Sequence, residues 1–124
     1  MNFSDALRQF WWRAVSHLSF GGNSNASRRG LELLKSNLSP DQLQDFLTYR
    51  CFDVLVGATG RTYRIRFGGT MNVQELHPDG SCARRLCFFP EGELVDGDIV
   101  LAQKVALETF ETEALAIANK LPTY

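Results

Sequence analysis

The sequence predicts an α+β domain in which N-terminal helices precede a four-stranded antiparallel β-meander and a long C-terminal helix packs on the sheet. Three observations predict this. Apolar and polar residues alternate within residues 51–90, as in half-buried strands. A helix-start signal stands at residues 39–42, and residues 98–120 carry apolar side chains at helical spacing. We expect one domain over residues 1–124, because this length suits a single hydrophobic core.

Residues 1–20 predict an amphipathic helix followed by a flexible linker. At about 100° per residue, one apolar stripe contains Phe3, Leu7, Phe10, Trp11, Ala14, Val15 and Leu18. Trp12 lies off this stripe. The Gly, Asn and Ser residues of positions 20–25 are typical of a linker. The helix either packs on the sheet or docks a second chain or a partner, and we expect the second arrangement, with a self-complementary dimer as its common form.

Residues 26–50 are predicted to be helical in two segments. Ser39 suits the N-cap of the second segment, and Pro40 suits its first helical position. Gln42 completes a capping box with Ser39. The predicted buried side of this helix contains Leu43, Phe46 and Leu47.

The β-meander of residues 51–90 is defined by its alternation and its turns. Tyr63, Ile65 and Phe67 fall on one side of a strand, and polar residues fall between them. The segment His77-Pro78-Asp79-Gly80 carries the chemistry of a tight hairpin turn. We expect the register of the sheet to follow the Tyr63, Ile65 and Phe67 side.

The C-terminal helix, predicted over residues 98–120, is apolar on two sides. One broad face contains Ile99, Val100, Ala106, Leu107, Phe110, Ala114, Ile117 and Ala118, and a second strip contains Leu101, Val105 and Leu115. Such a helix is central in its domain or half of a dimer interface. Gln103 stands in the middle of the broad face, where it needs hydrogen-bond partners. It forms either a structural hydrogen bond or a specificity contact in a groove.

The charges are balanced overall but unevenly distributed. The net charge is −1, which gives no global attraction to nucleic acid or to an anionic membrane. Residues 1–89 hold 11 Lys/Arg and 7 Asp/Glu, whereas residues 90–124 hold 2 and 7. The acidic C-terminal part either neutralises the sheet region internally or forms a separate face.

Five arginines cluster in the sheet region: Arg61, Arg64, Arg66, Arg84 and Arg85. Alternation places Arg64 and Arg66 on one side, where one of Arg84 or Arg85 joins them. Three interpretations remain open: a solvated face paired to the acidic C-terminal part, a nucleic-acid surface, or a surface for an acidic protein partner.

The sequence favours neither a metal site nor catalysis. His77, Cys82, Cys87 and Cys51 would suit zinc by residue type. The five-residue separation of Cys82 and Cys87 predicts opposite sides of a regular strand, and no C-x-x-C motif occurs. None of the common nucleophile, phosphate-loop or metalloprotease motifs is present either. We therefore predict no cofactor and no catalytic residues.

The setting predicted for the chain is cytoplasmic. No apolar run reaches the roughly 20 residues of a membrane span, and the N-terminus lacks the pattern of a signal peptide. Three cysteines without framework spacing are typical of reduced thiols.

Four motifs in the last 75 or so residues carry a resemblance. YRIRFG, NVQEL, RRLCFFP and GDIVLAQKVALETFETEALAIAN resemble a group of small uncharacterised bacterial proteins with no assigned activity. The resemblance implies that this region forms a small domain, and it implies no catalytic mechanism. Phe88 and Phe89 precede Pro90 where a His is expected in that group, which weakens a metal or proton-transfer role at that position.

The sequence therefore predicts a small non-catalytic protein-interaction or adaptor module, with a homodimer as one form. The alternative is a small nucleic-acid-binding protein that uses an arginine-bearing sheet face. A more distant alternative is a metal-dependent enzyme or zinc-binding domain. The candidate partner-binding residues are Trp11, Trp12, Arg64, Arg66, Arg84, Arg85 and Gln103.

Overall fold

The computed structural model describes residues 24–88, 92 and 94–122 and confirms the α+β class. Four helices are described: α1 (Ser24–Ser36), α2 (Pro40–Tyr49), α3 (Asp96–Thr109) and α4 (Glu111–Ile117). The five strands are β1 (Cys51–Leu55), β2 (Thr62–Arg66), β3 (Val73–Leu76), β4 (Cys82–Cys87) and β5 (Asn119–Pro122). The predicted helix and linker of residues 1–20 lie outside the described residues.

The sheet is antiparallel, with its strands in the order β1-β2-β3-β4-β5. Tyr63, Ile65 and the partly buried Phe67 contribute to the hydrophobic core, which confirms the predicted register. Helical residues such as Val100 and Leu107 belong to the same core. The helices therefore cover the Tyr63 side of the sheet.

The helix-start signal at Ser39 is confirmed in its hydrogen bonds. The Gln42 backbone N–H donates to Ser39 Oγ over 3.2 Å, and the Ser39 N–H donates to Gln42 Oε1 over 3.0 Å. Gln42 Nε2 also donates to the Asp53 carbonyl over 2.9 Å, which ties α2 to β1. Phe46 is buried as predicted, whereas Leu47 is 60% exposed, so its expected burial was wrong.

The C-terminal region differs from the single long helix of the prediction. The helix is interrupted at Phe110 (φ −135°, ψ 49°), where α3 ends and α4 begins. Two α-helical hydrogen bonds still meet there, from Phe110 N–H to Ala106 O and from Ala114 N–H to Phe110 O. The apolar spacing therefore continues across the interruption and conceals it in the sequence.

The last described residues form a fifth strand, so the expected four-stranded meander was one strand short. β5 pairs with β4, with Leu121 opposite Arg85. The strand has four residues and contains Lys120 and Pro122. Short length, lysine and proline are common at sheet edges because they discourage further strand pairing.

Helices α1 and α3 approach each other closely through two glycines. A Cβ atom on Gly97 would lie 2.5 Å from the carbonyl carbon of Gly30, and a Cβ on Gly30 would lie 2.6 Å from Val95 Cγ2. Both glycines are buried. The crossing of α1 over the start of α3 therefore requires glycine, which has no side chain, at both positions.

Candidate partner-binding face

The side of the sheet opposite the core forms a continuous face across all five strands, which we call the outer face. The register assigns to it Cys51, Asp53, Leu55, Thr62, Arg64, Arg66, Gln74, Leu76, Cys82, Arg85, Cys87, Asn119 and Leu121. None of these residues belongs to the packed core cluster, although Cys87 is buried, at 7% exposure. Leu55 is 68% and Leu121 51% exposed, and they lie on the two edge strands.

Three of the candidate arginines share the outer face. Arg64 lies opposite Gln74, and Gln74 lies opposite Arg85. Adjacent strands are about 4.8 Å apart, so Arg64 and Arg85 stand roughly 10 Å apart across the sheet. Arg66 lies two residues beyond Arg64 on the same face. Arg84 lies on the other side of β4, which settles which of Arg84 and Arg85 joins the other two.

The arginines differ in how they are paired. Arg64 Nε donates to Asp53 Oδ1 over 2.8 Å and Nη2 to Oδ2 over 3.1 Å. These hydrogen bonds raise the pKa of Arg64 above its ordinary value. Arg84 Nε donates to Glu75 Oε2 over 2.9 Å. Arg66 and Arg85 are exposed, and neither forms an ion pair with any other residue that the structure describes.

The acidic C-terminal part contributes little to this pairing. Its described contact with the arginine cluster is the ion pair of Glu111 with Arg61, 3.8 Å between Oε1 and Nη1. Glu108 pairs instead with Lys104 within α3, at 2.9 Å. The acidic helices lie on the core side of the sheet, so acidic and arginine-bearing surfaces are largely separate.

Glu111 forms a buried polar cluster with the turn between β1 and β2. Its Oε2 accepts from the Tyr63 hydroxyl over 2.7 Å, and its Oε1 accepts from the Thr59 hydroxyl over 2.9 Å. Burial raises the pKa of the Tyr63 phenol above its ordinary value, and the hydrogen bond to Glu111 adds to this. The cluster joins the first turn of α4 to the sheet.

Gln103 has partners inside the core. Its Nε2 donates to Asn72 Oδ1 and to the Phe88 carbonyl, each over 2.9 Å, and its Oε1 accepts from Asn72 Nδ2 over 2.7 Å. The residue is fully buried. This geometry favours the structural interpretation, and neither Gln103 nor Arg84 lies on the outer face.

The two cysteines of β4 share the outer face, which corrects the expectation of opposite sides. Cys82 lies opposite Leu76, and the register shifts so that Ala83 is an extra residue. Such a bulge reverses the alternation of side chains along the strand. Cys82 and Cys87 therefore fall on the same side although they are five residues apart.

The metal candidates nevertheless lie apart. Cys82 and Cys87 stand at opposite ends of β4, about 16 Å apart at roughly 3.3 Å per residue. Cys51 belongs to the distant edge strand, and His77 is exposed in a turn. Among residues 24–88, 92 and 94–122, no group of three or more His, Cys, Asp or Glu side chains is placed to hold a metal ion.

The structure also places together residues that the sequence did not connect. Tyr49, at the end of α2, is 68% exposed. It lines a cleft of about 460 Å³ together with Asp45, Cys51, Phe52, Asp53, Arg64 and Arg66. No sequence signal marks this cleft, because it depends on how α2 lies against β1. The candidates Trp11 and Trp12 lie outside the described residues.

Comparison with other proteins adds no family assignment. No protein-family model matches the chain, and no match was found among curated proteins or among solved structures. The resemblance of the last 75 or so residues to a group of small bacterial proteins stays a prediction. In the described part of the chain, no helix has both the length and the apolar character required to cross a membrane.

Proposed function

We propose that this chain is a small non-catalytic protein-interaction module whose outer face binds an acidic segment of a partner protein. The observation that carries the proposal is the pairing state of the arginines. Arg66 and Arg85 are exposed on one face without an ion pair among the described residues. Guanidinium groups of this kind bind carboxylates in a bidentate manner.

The distribution of charge supports an acidic partner. On the outer face, Arg64, Arg66 and Arg85 stand against the single carboxylate of Asp53. The residual positive charge attracts an acidic segment and raises its association rate. Leu55 and Leu121 supply apolar contact at the two edges.

The binding is expected to be weak and sensitive to salt. Exposed ion pairs contribute about 0–1 kcal/mol each, and salt screens them over roughly 10 Å at 0.1 M. A transient adaptor contact fits these magnitudes better than a permanent complex does.

A synthetic peptide of alternating glutamate and leucine tests the proposal by isothermal titration calorimetry. We expect saturable binding at low salt that weakens as salt rises, and little binding of the same peptide with glutamine in place of glutamate. Arg66→Gln combined with Arg85→Gln should weaken binding by up to about 30-fold, equivalent to about 1 kcal/mol for each arginine. The matched control is Arg28→Gln with Arg29→Gln, two exposed arginines on α1, and it should bind as the wild type does.

Equal binding by both double variants would refute the use of the outer face. A preference for the glutamine peptide would refute the acidic partner.

Nucleic-acid binding is the second candidate, and one observation favours it. The exposed ring of Tyr49 lines the same cleft as Arg64 and Arg66, and an aromatic ring together with guanidinium groups suits stacking with single-stranded bases. Titration with single- and double-stranded oligonucleotides over a range of salt separates the two candidates. Tighter binding of oligonucleotide than of the acidic peptide, with a salt slope reduced by about one for each arginine removed, would select nucleic acid.

Self-association through the first 20 residues is a separate part of the proposal. It rests on the apolar stripe with Trp11 and on the position of Trp12 off that stripe, all outside the described residues. Light scattering of the full chain at high micromolar concentration tests it, since we expect the mass of a dimer. Deleting residues 1–20 should give a monomer whose circular dichroism retains the sheet. A monomeric full chain would refute the dimer and leave the outer-face proposal standing.

A further inference from the structure

The cleft beside Tyr49 has the size and the chemistry of a small-ligand site. Its volume is about 460 Å³, within the range of roughly 300–1,000 Å³ that is usual for ligand pockets. One wall is the second half of α2 with Asp45 and Tyr49, and the other is formed by β1 and β2. Cys51 belongs to the second wall and lies opposite Arg66 in the sheet register.

One charged pair in the cleft is already satisfied. Arg64 and Asp53 lie opposite each other in the register and form two hydrogen bonds of 2.8 and 3.1 Å. This bidentate geometry fixes both side chains and cancels their charges locally. The pair therefore forms a rigid part of the cleft wall.

The second pair of opposite charges does not meet. Asp45 and Arg66 line the same cleft, yet neither forms an ion pair within 4.0 Å among the described residues. Asp45 is carried by α2 and Arg66 by β2, with β1 between them. A ligand that carries both a positive and a negative group offers a partner of opposite charge to each residue.

The net charge of the cleft restricts the class of ligand. Its two carboxylates, Asp45 and Asp53, balance its two guanidinium groups, Arg64 and Arg66. A simple anion is attracted by the guanidinium groups and repelled by the carboxylates, and a simple cation experiences the reverse. A ligand without net charge but with separated charges is attracted at both ends.

We propose that this cleft binds a free α-amino acid, with its carboxylate on Arg66, its ammonium group on Asp45 and an apolar or aromatic side chain against the ring of Tyr49. The Tyr49 ring lines the cleft and offers an exposed apolar surface. This site shares Arg66 with the surface proposed to dock an acidic segment, but it differs from that surface because it uses Asp45 and does not use Arg85.

L-phenylalanine, its amide and its N-acetyl derivative test the proposal through ¹H–¹⁵N chemical-shift titrations of the full chain. We expect saturable shifts with L-phenylalanine at residues 45–53 and 64–66. The amide lacks the carboxylate and the N-acetyl derivative lacks the ammonium group, so each should bind at least tenfold more weakly. This part of the experiment uses the unmodified chain, so a substitution that disturbs folding cannot affect its result.

Variants then assign the two ends of the ligand. Asp45→Asn and Arg66→Gln should each weaken L-phenylalanine binding by roughly fivefold, as expected for the loss of one exposed ion pair, and Arg85→Gln, on the same face but outside the cleft, should leave it unchanged. No saturable shift up to tens of millimolar overturns the proposal, and so does equally tight binding of the N-acetyl derivative. Loss of binding in Arg85→Gln would also overturn it, since the ligand would then lie outside the cleft, near β4.

The acidic-peptide titration separates this inference from the proposed function. Arg85→Gln affects the peptide alone, and Asp45→Asn affects the amino acid alone. If one of the two ligands does not bind, the proposal for the other ligand is still tested by its own variant.

Discussion

Asn72 and Gln103 form a reciprocal pair of side-chain amides in the core. Asn72 Nδ2 donates to Gln103 Oε1 over 2.7 Å, and Gln103 Nε2 donates to Asn72 Oδ1 over 2.9 Å. The remaining hydrogens are used as well. Asn72 Nδ2 also donates to the Arg66 carbonyl, and Gln103 Nε2 to the Phe88 carbonyl. The pair thus links helix α3 to the backbone at the ends of β2 and β4.

The first prediction concerns this pair. Gln103→Leu should lower the free energy of unfolding by about 1–3 kcal/mol, because it leaves the buried Asn72 amide without its partner. Urea denaturation followed by circular dichroism measures the change. Asn72→Ala combined with Gln103→Leu should lose less than the sum of the two single variants, because the residues interact directly. Additive losses would show that the amide pair contributes no coupling.

The second prediction concerns the buried side of the sheet. Ile65→Ala should lower the free energy of unfolding by about 2–5 kcal/mol, since Ile65 is fully buried and its removal leaves a cavity. Leu55→Ala is the matched control, because Leu55 is exposed on the outer face and should change the stability by no more than about 0.5 kcal/mol. The same urea measurement serves both. A larger loss at Leu55 than at Ile65 would mean that the assignment of the two faces is reversed.

The third prediction concerns the crossing of α1 and α3. Gly97→Ala should destabilise the protein by about 1–3 kcal/mol, because its new Cβ would lie 2.5 Å from the backbone of Gly30 and force the helices apart. Gly57→Ala is the control: no atom lies within 4 Å of a Cβ at that exposed position, so little change is expected. Thermal unfolding compares the two. Equal melting temperatures for the two variants would contradict the close approach of the helices.

The fourth prediction concerns alkaline pH. The raised pKa of Tyr63 in the folded chain keeps its phenol protonated, whereas the unfolded phenol ionises near its ordinary value of about 10. Above about pH 10 the unfolded state therefore binds fewer protons than the folded state. The free energy of unfolding then falls, by at most about 1.4 kcal/mol per pH unit from this group. Below pH 10 the contribution of Tyr63 is fully present.

Tyr63→Phe isolates that contribution. The variant should be less stable than the wild type at neutral pH, because Glu111 loses a hydrogen-bond donor. Its stability should also decline less steeply between about pH 10 and 12, as urea denaturation at a series of pH values measures. Parallel pH profiles for the two proteins would contradict the role of Tyr63.

Local signals predicted much of the fold because they act between neighbouring residues. The capping box joins Ser39 to Gln42, three positions apart, and the hairpin turn is closed by Gly80 N–H donating to the His77 carbonyl over 2.8 Å. The alternation at Tyr63 and Ile65 reports burial directly, since successive side chains of a strand point to opposite sides. None of these features requires knowledge of a distant partner.

Features of the candidate sites depend on distant partners instead. The strand β5 exists because Leu121 pairs with Arg85, and the bulge at Ala83 arises from the pairing of β3 with β4. The apolar spacing continues through Phe110 and gives no sign that a strand follows.

The sequence by itself determined the α+β class, the start of α2 and the buried side of the meander, since each rests on contacts within a few residues. Tertiary structure alone decided that Arg85 rather than Arg84 shares a face with Arg64 and Arg66, because the register of three strands sets it. It also decided the partner of Gln103, which lies 31 positions away. Pairings over such distances depend on the packing of the whole domain.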